Sequence, residues 1–252
     1  MARSRTRSPT PREAALDAVR SLVALADPEA AARGRTFFKR GDAVTLYGVK
    51  APELRTLARS TFDRVKRSWD VADATAFCEI LAERRHIEAK MVGVLVLGRF
   101  ERQFPRSLLA RTKRWIEAGW FCNWAAVDGL CPNTTTPLIR RYPVLLPRVT
   151  RWSGERNQWV RRASVVTLVP LARRGEHLDE AYDVVASLFD DTEDLMHKAS
   201  GWLLREAGKT NMARLERFLL THGSAIPRTT VRYAIERFPE LRRRQLLVRT
   251  RN

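Results

Sequence analysis

Midway along the chain, Asn123-Trp124-Ala125-Ala126-Val127-Asp128 sets an indole and a carboxylate four residues apart. On a helix, residues at that spacing project from one face. A carboxylate there could stabilise positive charge developing on a substrate or orient a water for attack. An indole face favours the same cation through its quadrupole. Plainer roles stay open beside this chemistry. Asp128 could cap a helix or pair with an arginine, and Trp124 could be an ordinary core aromatic.

The surroundings narrow the choice. The 252 residues carry 46 Lys and Arg against 28 Asp and Glu, a net charge of +18, with 44% hydrophobic residues. That hydrophobic share is enough for a buried core, so the charge sits on a folded body rather than on a disordered chain. The partner expected is a polyanion, nucleic acid before an anionic membrane surface. Cys78, Cys122 and Cys131 make an odd set without C-x-x-C spacing, and four scattered His form no pair. Neither a metal site, a disulfide framework nor a cofactor is expected, which fits a reducing cytoplasm. Cys122 reads as a small buried hydrophobe, since no His supports it as a nucleophile. Met1 to Arg12 has no apolar segment behind it, so it does not read as a secretory signal. No run approaches the ~18 apolar residues of a membrane span.

Residues 1–10 read as a disordered basic arm, and 11–252 as one domain. Thr10-Pro11 has the form of an N-cap followed by proline at the first helical position. Leu46 to Glu53 reads as a loop entering a helix, with Gly48 at a turn and Pro52 and Glu53 in the first helical turn. Beyond it the 3.6-residue period prevails, and no sustained period of two appears. Helices are expected near 52–67, 71–84, 86–100, 105–118, 123–130, 135–150, 156–174, 178–190, 193–207, 211–221 and 228–246. The fold class is therefore all-α, either a bundle or a solenoid.

Self-similarity favours the solenoid. Segments starting at Trp159, Leu195 and Val231 are 36 residues apart, and the one at Ile87 lies two such steps before Trp159. The missing register falls on Asn123. Two-helix units of this size are the HEAT/armadillo class, predicting a right-handed α-solenoid of HEAT-like repeats with a concave basic face. Met91, Val127, Ala163, Ala199 and Ile235 share one column, suited to close helix packing. In the column before it, Lys90, Arg162 and Lys198 recur, an expected cation row for a phosphate backbone. A solvated basic face is the alternative.

At this point the residues resemble a family, the AlkD-type DNA glycosylases, HEAT-like-repeat enzymes that remove alkylated bases. The carrying motifs are Gly48-Val49-Lys50-Ala51-Pro52-Glu53, Trp124-Ala-Ala-Val-Asp128, Trp159-Val160-Arg161-Arg162-Ala163 and Lys198 through Glu206, spanning roughly residues 35 to 240. The resemblance implies that Asp128 is the catalytic carboxylate and that Trp124 and Trp202 pack around the deoxyribose of the damaged nucleotide. It implies that Arg162 contacts the DNA backbone near the lesion. Lys50 stands where the family often has Gln, so it is expected as a phosphate or groove ligand. Lys90, Lys198 and Arg205 complete the expected DNA contacts. Trp69, Trp115, Trp120, Trp152 and Trp159 are left as core, and the Phe37-Phe38 pair is undecided between DNA contact and packing.

Cleaving an N-glycosidic bond develops an oxocarbenium-like sugar. A base alkylated at N3 or N7 is already cationic and leaves with little acid assistance, which suits a single essential Asp. The resemblance further implies a lesion held against the Trp/Asp surface without a tight base pocket, which allows bulky adducts as well as methyl groups. No Schiff-base lysine adjoins Asp128, so no lyase step is expected. The expected protein is a monomeric, metal-free enzyme of the bacterial nucleoid whose partner is double-stranded DNA with alkylated purines. The competing expectation is a HEAT-like scaffold that binds nucleic acid or acidic proteins without catalysis.

Overall fold

A computed structural model describes residues 8–42 and 44–251. Most of the basic arm expected over 1–10 thus lies outside the described residues. Its last residues belong to the fold: the Trp69 indole N–H donates to the Pro9 carbonyl at 3.0 Å. Thr10 caps the first helix reciprocally with Glu13, as its sequence predicts.

Contacts cluster into two compact units, Met1–Thr134 and Thr135–Asn252. The first contains α1 (Pro11–Ala24), α2 (Pro28–Arg35), α3 (Ala51–Val65), α4 (Val71–Ala82), α5 (Ile87–Gly98), α6 (Leu108–Glu117) and α7 (Trp124–Asn133). The second contains α8 (Thr135–Arg141), α9 (Leu146–Thr150), α10 (Gln158–Ala172) and α11 (Leu178–Ala186). It continues with α12 (Asp194–Gly208), α13 (Met212–His222), α14 (Arg228–Ala234) and α15 (Glu240–Arg249). Among the described residues there is no strand, only an isolated bridge between Thr45 and His86. None of the described helices is long and apolar enough to cross a membrane.

Each unit is a layered set of helices. In the first, α5 packs against α3, α4 and α7. Its Ala89, Val92, Val94, Val96 and Leu97 are buried on nearly all sides, as expected of a helix enclosed by neighbours. In the second, α12 packs between α10 and α14, and α10 is buried in the same way. Two expected helices are broken. The 135–150 span stops at Arg141 before Pro143, and the 228–246 span is interrupted between Ala234 and Glu240, with Pro239 in the gap. Proline lacks the N–H the ladder needs and disfavours a helical residue before it. Pro132 and Pro170 lie inside the last turns of α7 and α10, where the helices continue.

The loop before α3 is fastened to α5. Gly48 donates its N–H to the buried Glu88 carboxylate at 2.8 Å, and Ile87 donates to the Thr45 carbonyl at 3.1 Å. Gly48 has φ +84°, and a Cβ there would lie 2.1 Å from the Asp27 carbonyl oxygen, so only glycine fits. This clamp sets Lys50 at the start of α3, exposed, with its backbone N–H on the Glu53 carboxylate at 2.9 Å.

Candidate active site

Helix α7 begins where the backbone of Asn123 is extended, and the Asn123 Oδ1 accepts the Ala126 N–H at 2.9 Å. The side chain satisfies one of the donors a helix start leaves open. Trp124 is the first helical residue and Asp128 follows one turn later, about 6 Å along the axis. Ala126, Val127, Leu130 and Cys131 are buried, whereas Trp124 and Asp128 are half-buried. The indole and the carboxylate therefore share the less buried side of a helix whose other side is core.

Two contacts fix this helix and its tryptophan. The Phe38 ring stacks on Trp124, with centroids 5.1 Å apart and planes 23° from parallel. On the α5 side, Gly129 sits against Met91, and a Cβ on Gly129 would lie 2.2 Å from the Met91 Cε. Helix α5 thus approaches α7 closely, directly after Asp128. Met91 belongs to the column expected at close helix packing, whereas Phe38 was not legible in the periodicity: it lies in a loop, 86 residues from Trp124.

Two of the three residues of the expected cation row are buried. Lys90 is 7% exposed, and its ammonium donates to the carbonyl of Ala82 at the end of α4 and lies 5.9 Å from the Phe121 ring centre. A cation suits the carbonyl end of a helix. Burial still lowers its pKa. Arg162 is 5% exposed and donates to the Leu195 carbonyl of α12 at 2.7 Å. Both side chains tie one helix to the next. Their column also holds Ala126 and Ala234, both buried. Lys198 is half-exposed, and Asp194 one turn earlier holds it at 2.7 Å, raising its pKa. Arg205 pairs with Glu236 and lies 3.6 Å from Glu206.

In the second unit, Trp202 is half-buried on α12, one turn after Lys198. The neighbouring Gly201 lets α14 approach: a Cβ there would lie 2.4 Å from the Tyr233 Cβ and 2.7 Å from the Thr230 carbonyl oxygen. Trp69, Trp115 and Trp152 are buried as expected. Trp120 and Trp159, expected in the core, are only half-buried. Cys122, expected buried, is exposed. It lines a pocket of about 460 Å³ with Lys90, Trp120, Asn123 and Arg84.

The fold of the chain is similar to that of a solved structure described as a predicted DNA alkylation repair enzyme from Enterococcus faecalis. The TM-score is 0.74, with 18% sequence identity over 85% of this chain and 97% of that one. At that identity the likeness shows the fold. No curated protein sequence matches the chain. A family model for the DNA alkylation repair enzyme matches residues 18–238. With that match over most of its length, the chain belongs to the DNA alkylation repair enzyme family.

Proposed function

We propose that this protein is a monofunctional DNA glycosylase that hydrolyses the N-glycosidic bond of purines alkylated at N3 or N7 in double-stranded DNA. The observation that carries the reading is the pairing of Trp124 and Asp128 on the less buried side of α7, in a chain of net charge +18 from a DNA alkylation repair family. The alkylated base is a cationic leaving group, so the bond breaks with little acid assistance and positive charge passes to the sugar. Asp128 stabilises that charge and orients the water that attacks the anomeric carbon. Trp124, and Trp202 with it, pack their faces around the deoxyribose. Lys50, exposed at the start of α3, and the half-exposed Lys198 serve as DNA ligands, and Arg205 acts from its ion pair with Glu236. Bulky adducts fall within the substrate range. The enzyme works as a monomer in the cytoplasm, on the nucleoid, with neither metal nor cofactor.

The test is base release. Duplex DNA containing N7-methylguanine, incubated with the protein and then analysed for free base, should yield the methylated purine. Asp128→Asn should slow release by about a hundredfold, the scale at which removing one transition-state electrostatic partner acts. Equal rates in the variant would remove Asp128 from the chemistry. Salt-dependent binding with no base released from methylated or bulky substrates would favour a non-catalytic scaffold.

A further inference from the structure

Among the described residues, the most exposed large hydrophobic side chain is Phe37, at 75%. Its neighbour Phe38 is turned the other way and stacks on Trp124. The segment that carries both is closed on itself. The Arg35 guanidinium donates to the carbonyls of Lys39 at 3.0 Å, Arg40 at 3.3 Å and Asp42 at 2.9 Å. The Lys39 N–H donates to the Asp42 carboxylate at 2.9 Å, and the Asp42 N–H returns to the Lys39 carbonyl at 3.1 Å. A turn fastened in this way holds Phe37 in water, uncovered by any of the described residues.

Exposed Lys39 and Arg40 come two and three residues after Phe37. An aromatic face beside two cations is the composition with which proteins stack on a nucleobase while neutralising the adjoining phosphates. Phe38 ties the turn to the indole of α7, so Phe37 lies one residue along the chain from the ring that stacks on Trp124. A second copy of this chain is a poor occupant, because both partners would carry +18.

We infer that Phe37 is a base-stacking residue: the Arg35-fastened turn lays its ring against a nucleobase at the lesion, with Lys39 and Arg40 on the flanking phosphates. A damaged step is where unstacking costs least, so a ring that enters there favours lesion over intact duplex. The inference rests on the glycosylase reading for the site, and adds to it a contact that recognises the lesion without extruding the base into a pocket.

The experiment measures binding to a duplex with a tetrahydrofuran abasic analogue, which has no base to release, and with 2-aminopurine beside it. Phe37→Ala should weaken binding about 5- to 100-fold, the range that one base–aromatic stack supplies. Phe37→Trp should restore binding and Phe37→Leu should not. At saturating protein the wild type should change the 2-aminopurine fluorescence and Phe37→Ala should not. The doubly substituted Lys39→Ala, Arg40→Ala chain should flatten the slope of log K against log salt by about 1.8, while Phe37→Ala leaves it unchanged. An unaltered thermal melt checks that the exposed substitution keeps the fold. Wild-type affinity in Phe37→Ala, full restoration by Leu, or a dimer in sedimentation that Phe37→Ala dissociates would each overturn the inference. Because the probe has no scissile base, absent glycosylase activity with an intact Phe37 effect would refute the function alone. Base release with no Phe37 effect would refute the stacking alone.

Discussion

Two helical glycines, Gly129 next to Asp128 and Gly201 next to Trp202, give opposite expectations for the same substitution. Replacing a helical Gly by Ala favours the helix by about 1 kcal/mol. At Gly201 the new Cβ would stand 2.7 Å from the Thr230 carbonyl oxygen and 2.4 Å from the Tyr233 Cβ, neither at the end of a flexible side chain. Helix α14 must retreat by about 1 Å to restore ordinary contact, and such overpacking costs about 1–3 kcal/mol. The retreat also strains the hydrogen bond of 3.1 Å from the Thr230 hydroxyl to the His197 carbonyl, worth about 1 kcal/mol. Gly201→Ala should therefore destabilise by about 2 kcal/mol net, lowering Tm by roughly 5 °C. At Gly129 the obstacle is the terminal methyl and sulfur of Met91, which can swing to another rotamer for about 0.5–1.5 kcal/mol. Gly129→Ala should stay within about 1 kcal/mol of the parent, the propensity gain offsetting the displacement. Thermal melts followed by circular dichroism compare the two directly. A Gly201→Ala melt equal to or above that of Gly129→Ala would refute the packing argument.

Two further outcomes follow from the charged side chains. Lys90→Met should leave the salt dependence of DNA binding unchanged, because the ammonium is engaged inside the protein; a slope smaller by about 0.9 would show a phosphate contact. The Glu206 carboxylate is 3% exposed. Burial works against its charge, but hydrogen bonds from Lys209 at 2.6 Å and Arg173 at 2.7 Å together prevail and lower its pKa. A depressed carboxyl pKa contributes stability that is present above the ordinary value near 4.5 and is lost as pH falls through the folded value. Glu206→Gln should accordingly cost about 1–3 kcal/mol at pH 7 by urea unfolding, with the difference from the parent shrinking toward pH 3. A gap that is independent of pH would contradict the assignment.

Most of the helices were readable because burial on one side leaves a 3.6-residue trace, and the repeat register was readable because stacked units need small or apolar residues at the same place. What failed were features decided by the neighbours of a residue. Pro143 and Pro239 interrupt spans whose apolar pattern runs on through them. Lys90 and Arg162 are in the expected column, but each is bonded to a carbonyl of a neighbouring helix. Their charge suggested solvent, whereas both side chains are buried, as are Ala126 and Ala234 in the same column. The spacing of Trp124 and Asp128 placed both on one side of α7, whereas the stack of Phe38 on Trp124 joins residues too distant for any local pattern. Trp120, Trp159 and Cys122 show the limit of assigning burial by residue type.

The buried cations also bear on how a repetitive chain avoids mispairing with itself. Helical units repeating every 36 residues offer one another similar apolar faces. A lysine or arginine enclosed in such a face is tolerated only where a carbonyl waits for it, and elsewhere it is an unsatisfied charge in a dry interface. Lys90 meets the end of α4 and Arg162 meets the beginning of α12, while the intervening register has Ala126 and asks for no partner. Each unit thus has its own address. A helix docked one repeat out of place would leave a charge stranded, so the same side chains that hold neighbours together also make the wrong neighbour costly during folding.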